Sequence, residues 1–427
     1  MVRLSIQSSD KRSFFDVIVV AACFLINGCS QAADLPMLYG DTFISETLDA
    51  VVESPDGTLL LIGRSRSLGY GAAEELQFLR VNSNGPAIWR KTMSLNGKAK
   101  YVRAVARPDG GAIIGGATPH LDSDPDDGIR ELGMDGFLLS VNENADKQWL
   151  WRKQETITIP LEIDKANSIW AIAADHRFGK QRSWLVKFGQ TGELLEEIAL
   201  NLADGFTCYD AIRFSEKGTV LAGTVPDGIQ VYEVDEEGAV RWVTTTKDPW
   251  ITTSIHLCRT THSGYLWDTV GIVAVAACGE DTIVTIRISK DGELLSEKVT
   301  LEGDGQTVKA VAATNDGGVI LVADNPSLGT DTGTRAALEV ILLDDNMEVI
   351  YGETFASSDS RYVFSASDIT KSKSGGYFLA GGRFDSSMGV ADMYLTQVDS
   401  SGKMPWPAGK QQEIPYGLQR SDEAPLT

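Results

Sequence analysis

Leu38-Tyr39-Gly40-Asp41-Thr42-Phe43 returns almost unchanged, 312 residues later, as Ile350-Tyr351-Gly352-Glu353-Thr354-Phe355. The echo exposes an internal repeat, and self-similarity at a fixed period identifies an architecture more securely than local propensity does. Followed outward, each unit reads as two hairpins. The first turn carries Gly among small polar residues: Ser54-Pro55-Asp56-Gly57, Pro108-Asp109-Gly110-Gly111, Asn315-Asp316-Gly317-Gly318, Ser374-Gly375-Gly376. Such residues supply the positive φ and the local side-chain hydrogen bonds of tight turns. A short aliphatic run ending in a small residue follows (Leu59 to Gly63, Ile113 to Gly115, Val220 to Gly223, Ile320 to Ala323, Phe378 to Gly381), the pattern of a strand buried on both faces.

A second turn then precedes a fourth strand that holds Trp89, Trp151, Trp242 or Tyr351. Taking Gly85, Ala145, Gly192, Gly238, Gly292, Met347 and Gly402 as landmarks of that turn gives intervals of 60, 47, 46, 54, 55 and 55 residues. Seven units of four strands predict an all-β chain, a seven-bladed β-propeller; a β-sandwich has no need of seven equivalent copies. The last unit lacks its fourth strand, since Pro405 and Pro407 cannot donate to a ladder. Met37 to Ile44 is an orphan fourth strand ahead of the first unit. The N-terminal strand is therefore expected to close the last blade, leaving no open edge. The domain organisation is a propeller over 37–408 and a C-terminal tail over 409–427.

Residues 1–28 read as an export signal, with Arg3, Lys11 and Arg12 ahead of an apolar run from Val17 to Ile26. A ten-residue run is too short to span a bilayer, which takes about 20 residues. The run ends Leu25-Ile26-Asn27-Gly28-Cys29, which resembles a bacterial lipobox, Asn27 being its one atypical position. The resemblance implies that Cys29 is the lipidated first residue of the mature chain, with 29–36 a short tether. Ser30 after it resembles outer-membrane sorting, so the expected location is the bacterial cell envelope, facing the periplasm. Ordinary secretion with cleavage near Ala32-Ala33 is the alternative.

The formal charge is −21, and −22 without the signal, which holds three positive and two negative residues. This excess disfavours nucleic acid and direct contact with anionic lipid, and favours a basic protein surface; it also serves solubility alone. The membrane is thus expected to be reached only through the anchor, and the protein to be a monomer. Beyond Cys23 and Cys29 there are Cys208, Cys258 and Cys278. Export permits one disulfide, for which strand position favours Cys208 with Cys278; three free core thiols are the other reading.

The long connections, Arg64 to Glu75, Ala117 to Asp135, Asp324 to Ala337 and Arg383 to Asp392, fall on the face that also carries the connections between blades. Function on rigid scaffolds concentrates in such loops, though long loops are also simply tolerated. In blade two, Asp122, Asp124, Asp126 and Asp127 form an acidic run that marks the tentative partner-binding site. Alternate carboxylates suit Ca²⁺, but the Gly is one place late for an EF-hand loop and Gly133 stands where Glu should. No cofactor is required, calcium being the one candidate. His120, His176, His256 and His262 show no metal-ligand spacing, and no nucleophile elbow, phosphate loop or zinc pattern is present, so no catalytic residue is assigned. Trp89, Trp151 and Trp242 occupy equivalent packing positions, whereas Trp149, Trp250 and Trp267 fall outside that register and are candidates for exposed contacts.

Asp109-Gly110-Gly111-Ala112-Ile113-Ile114-Gly115-Gly116, Gly136-Phe137-Leu138-Leu139-Ser140-Val141-Asn142 and Ser183-Trp184-Leu185-Val186-Lys187-Phe188 resemble the repeats of exported bacterial β-propellers of uncharacterised function, and more loosely PQQ-like propeller repeats. The similarity runs over about 37–408. It implies a fold rather than an activity and carries no cofactor ligands with it. The expected function is a lipid-anchored protein-interaction scaffold. The alternatives are an immunity-type lipoprotein that neutralises an envelope-targeting toxin, a propeller lyase or glycoside hydrolase, and a calcium-dependent carbohydrate binder.

Overall fold

The computed structural model describes residues 37–403, apart from 40–43, 68–73, 84, 96, 125–127, 176–181, 216–217, 247–251, 265–266, 279–281, 303–305, 326–336 and 356–360. The chain forms seven four-stranded antiparallel sheets, the blades of a seven-bladed β-propeller. The first strand of each blade lies innermost and touches the first strands of its neighbours: Ile44–Glu53, Lys100–Ala106, Thr156–Ile163, Thr207–Ser215, Thr252–Gly264, Thr307–Ala313 and Tyr362–Lys371.

Burial explains why the second and third strands read as continuous apolar runs. Ile169–Asp175 and Ala337–Leu343 are buried at every residue, because each blade is covered on both faces by its neighbours. The core is correspondingly divided into seven clusters, one for each interface between adjacent blades. Trp149 belongs to this packing. It stacks on Phe188 at 5.8 Å and donates from Nε1 to the Gln190 carbonyl of the next blade at 3.0 Å, which corrects its reading as an exposed contact. Trp250 lies outside the described residues, as does the side chain of Trp267.

All seven landmark residues adopt positive φ: Gly85, Gly192, Gly238, Gly292 and Gly402, but also Ala145 at 56° and Met347 at 62°. The two non-glycine residues accept the strain because they are buried against the adjoining blade. In blades two, four, five, six and seven a side-chain oxygen at the head of the turn satisfies two backbone amides. In blade four Asp235 Oδ1 accepts from Glu237 N at 3.1 Å and from Ala239 N at 2.8 Å; in blade six Asp344 Oδ1 does the same for Asn346 and Glu348, both at 2.8 Å.

The ring closes through the N-terminal strand. Met37, Leu38 and Tyr39 pair antiparallel with Leu395, Tyr394 and Met393, completing blade seven. Tyr39 donates its hydroxyl to the Gly85 carbonyl of blade one at 2.5 Å. Its counterpart in the echo, Tyr351, packs against Gly402 of blade seven. The closing strand is described over Met37–Tyr39, and Ile44, expected at its end, instead opens the first strand of blade one.

The expected Cys208–Cys278 bridge is not formed. Cys208 packs in the core between blades three and four and Cys278 in that between blades four and five, so blade four stands between them. Cys258 fills the core between blades five and six, and all three are free, buried thiols. Burial pushes Cys258 up to about 12 and Cys278 up to about 11, and Cys208 rises as well.

Candidate functional site

Every innermost strand breaks register against its second strand. The shifts fall at Leu48/Ala50, Lys100/Arg103, Pro160/Glu162, Cys208/Asp210, Thr252/Ser254, Val308/Ala310 and Ala366/Asp368. A bulge adds a residue without a ladder partner and re-aims its side chain. Here the added residues include Asp49, Tyr101, Leu161, Tyr209, Lys309 and Ser367, and all six line one cavity bounded by the first strands of all seven blades. The second strand carries a small residue opposite the bulge. Gly63 pairs with Leu48, Gly223 with Cys208, Ala323 with Val308 and Gly381 with Ala366. A Cβ on Gly63, Gly223 or Gly381 would stand 2.1, 2.1 or 2.0 Å from the carbonyl oxygen of Thr47, Thr207 or Ser365. The small residues that end the aliphatic runs are thus what admits the bulges.

The cavity has a volume of about 430 Å³. Its charged groups are Asp49, Arg103, Asp210, Lys309 and Asp368. Asp49 is tied to Arg64 through two hydrogen bonds of 2.7 Å, and burial still raises its carboxyl against that partner. Asp210 accepts from the amides of Leu257 at 2.8 Å and Ala211 at 2.9 Å, with the Arg103 guanidinium 3.4 Å away. Asp368 accepts from Val51 N of blade one at 3.0 Å. Lys309 lies 3.4 Å from Asp324, which also accepts from Ser365 Oγ at 2.7 Å and Ala366 N at 3.1 Å. Asp210, Asp324 and Asp368 therefore each reach a backbone amide in the next blade and fasten the ring, and Asp210 and Asp368 also line the channel. His256 joins the same scheme with Nε2 3.2 Å from the Val308 carbonyl, and burial lowers it to about 3, which keeps it neutral.

Burial pushes the Asp368 carboxyl up to about 6, against the pull of the Val51 amide and the Arg103 charge. A carboxyl whose folded value exceeds its unfolded one, about 4, keeps its proton longer when folded. Its contribution then favours the folded state below about pH 4 and is lost as pH rises toward 6. The urea midpoint of the wild type, relative to Asp368→Asn, should fall across that window. A difference that does not change with pH would mean that Asp368 titrates as an ordinary carboxylate.

The acidic run of blade two is not a free loop. Second strand Ala112–Asp124 and third strand Gly128–Val141 extend the ladder outward, with Asp122 opposite Arg130 and Asp124 opposite Gly128. Asp126, Asp127 and Cys29 lie outside the described residues. The expected loop Arg383 to Asp392 is likewise mostly ladder, with Arg383, Phe384 and Asp385 paired to Asp392, Ala391 and Val390. A second extended hairpin, which the sequence did not announce, joins Thr252–Gly264 to Trp267–Cys278 in blade five. It links first and second strands and so projects from the face opposite to that of blade two. Among the described residues no group of three or more His, Cys, Asp or Glu is placed to hold a metal ion.

The bulged residues of the channel were missed because each interrupts the alternation by which inward and outward positions are read. The signal that points to them is the small residue across the ladder.

No protein-family model matches the chain, and no curated protein matches it in sequence. Solved structures to which the chain is similar include the NanB sialidase of Streptococcus pneumoniae, with 10% identity over 89% of this chain and 72% of that one and a TM-score of 0.47. A Dyadobacter fermentans protein of unknown function has 9% identity over 84% and 97%, with a TM-score of 0.49. The Penicillium chrysogenum α-L-arabinanase, solved with arabinobiose, has 12% identity over 72% and 97%, with a TM-score of 0.46.

Proposed function

We propose that the protein is a binding propeller, exported and anchored in the bacterial envelope through lipid on Cys29, which holds another protein on the face that carries the blade-two hairpin. The observation that carries this reading is the hairpin itself. Its strands run 13 and 14 residues, against 7 in the first and fourth strands of the same blade, so its ladder continues beyond theirs. A paired extension beyond the blade's other strands suits an interface better than a tolerated insertion does. Asp122, Asp124, Asp126 and Asp127 on it, within a chain of charge −21, fit a partner with a basic surface. The carboxylates of the cavity support binding over hydrolysis. Acid–base chemistry needs two carboxyl groups facing a substrate, whereas Asp49 is locked to Arg64 and Asp210 to two backbone amides.

Affinity purification from detergent-solubilised envelopes should yield a stoichiometric protein whose association slows as salt rises, because screening removes long-range steering. Cys29→Ser should move the protein from the membrane to the soluble periplasmic fraction, since stable attachment takes more than one acyl chain and the variant would carry none. Unchanged membrane association of Cys29→Ser would rule out the anchor. A purified protein that turns over a small substrate unaided, with one cavity carboxylate essential, would replace the binding reading with the enzymatic one.

A further inference from the structure

The axial cavity holds two cations, Arg103 and Lys309; Lys309 faces Asp324 at 3.4 Å, and Arg103 and Asp368 are the pair with bonding capacity left inside the cavity. Arg103 carries five N–H donors, and its ion pair among the described residues is the 3.4 Å contact to Asp210. That carboxylate is already held by two amides of its own. Asp368 faces the same space, is held by the amides of Val51 and Ile369, and has no cation in ion-pair contact among the described residues. Asp49 is spent on Arg64, and Asp324, beside Lys309, on Ser365 and Ala366. Arg103 and Asp368 thus line one cavity, and the Arg103 charge lowers the Asp368 carboxyl against the effect of burial. Two aromatic rings, Tyr101 and Tyr209, complete the wall. Tyr101 is 58% exposed and held at φ 56°, a conformation costly for a residue with a side chain and one that concentrates at ligand sites.

We propose that this cavity binds a small amino-carboxylate zwitterion, its carboxylate on Arg103 and its ammonium on Asp368 against the rings of Tyr101 and Tyr209. A guanidinium grips a carboxylate through two parallel hydrogen bonds. An ammonium gains from a carboxylate and from aromatic faces together. A ligand with no net charge also escapes the repulsion that the acidic surface exerts on free anions. The volume of about 430 Å³ suits a small molecule rather than a peptide segment. This inference does not depend on the protein-partner reading above.

The test is calorimetric titration of the full-length protein in detergent with glycine, 4-aminobutyrate and 6-aminohexanoate, each beside its matched acid and matched amine. At least one amino acid of the series should bind saturably, with its acid and its amine at least tenfold weaker. Arg103→Gln and Asp368→Asn should each weaken that binding at least tenfold, while thermal melting shows both variants folded. Should Arg103→Gln fail to fold, Arg103→Lys keeps the charge, loses the planar fork, and should still bind several-fold more weakly. The proposal is overturned if no member of the series binds, if the acid or the amine alone binds as tightly as the zwitterion, or if the folded variants bind as the wild type does.

Discussion

Gly381→Ala should destabilise the protein by roughly 3 kcal/mol or more, whereas Gly382→Ala, one residue along the same strand, should cost less than about 1 kcal/mol. Neither glycine has positive φ, so the contrast does not arise from backbone strain at the glycine itself. At Gly381 a Cβ would meet the Ser365 carbonyl oxygen at 2.0 Å and the Ala366 Cα at 3.0 Å, both backbone atoms of the innermost strand. At Gly382 the nearest atoms would be 3.8 Å away, an ordinary contact. Accommodating alanine at 381 requires the bulge at Ala366/Asp368 to move, and with it the hydrogen bond from Val51 N to Asp368 that joins blade seven to blade one. Urea midpoints of the two variants measure the contrast. Equal tolerance would mean that the bulges do not depend on small residues opposite them.

Removing the closing strand should cost about 3–5 kcal/mol. Met37, Leu38 and Tyr39 form the outer ladder of blade seven, Tyr39 adds its hydrogen bond to Gly85, and its ring packs on the core between blades seven and one. Ladder bonds are each worth about 1 kcal/mol net, and a half-buried aromatic adds about as much again. Loss of the strand also exposes Tyr394 and Leu395 along an open edge, which favours association between chains. Deletion of residues 1–39 should therefore lower the midpoint and promote aggregation, while deletion of 409–427 should leave the midpoint within experimental error. If both deletions are equally harmless, ring closure does not rest on this strand.

The blades were legible in the sequence because their turns are dictated locally. A residue that takes positive φ recurs once per unit, and the landmark positions, Ala145 and Met347 included, all adopt that conformation; a side-chain acceptor at the head of the turn accompanies it in blades two, four, five, six and seven. The closing strand was legible through the echo, which pairs Tyr39 with Tyr351 in equivalent positions. The channel was not. Asp49, Tyr209 and Lys309 read as ordinary polar alternation, and only a register shift, a property of two strands together, directs them to the axis. The blade-two hairpin reads as a loop in the sequence because acidic residues and proline depress strand propensity. Its pairing from Ala117 opposite Gly136 to Asp124 opposite Gly128 instead continues a ladder already nucleated by the blade.

The two extended hairpins allow a direct test of the binding claim, because they project from opposite faces of one scaffold. Shortening blade two between Ala117 and Asp135 should abolish capture of the partner from detergent-solubilised envelopes and leave the urea midpoint nearly unchanged, since loop closure depends weakly on length. Shortening blade five between Thr260 and Gly271 should leave capture intact. Capture that survives the first change, or that is lost only with the second, would contradict the assignment of the binding face.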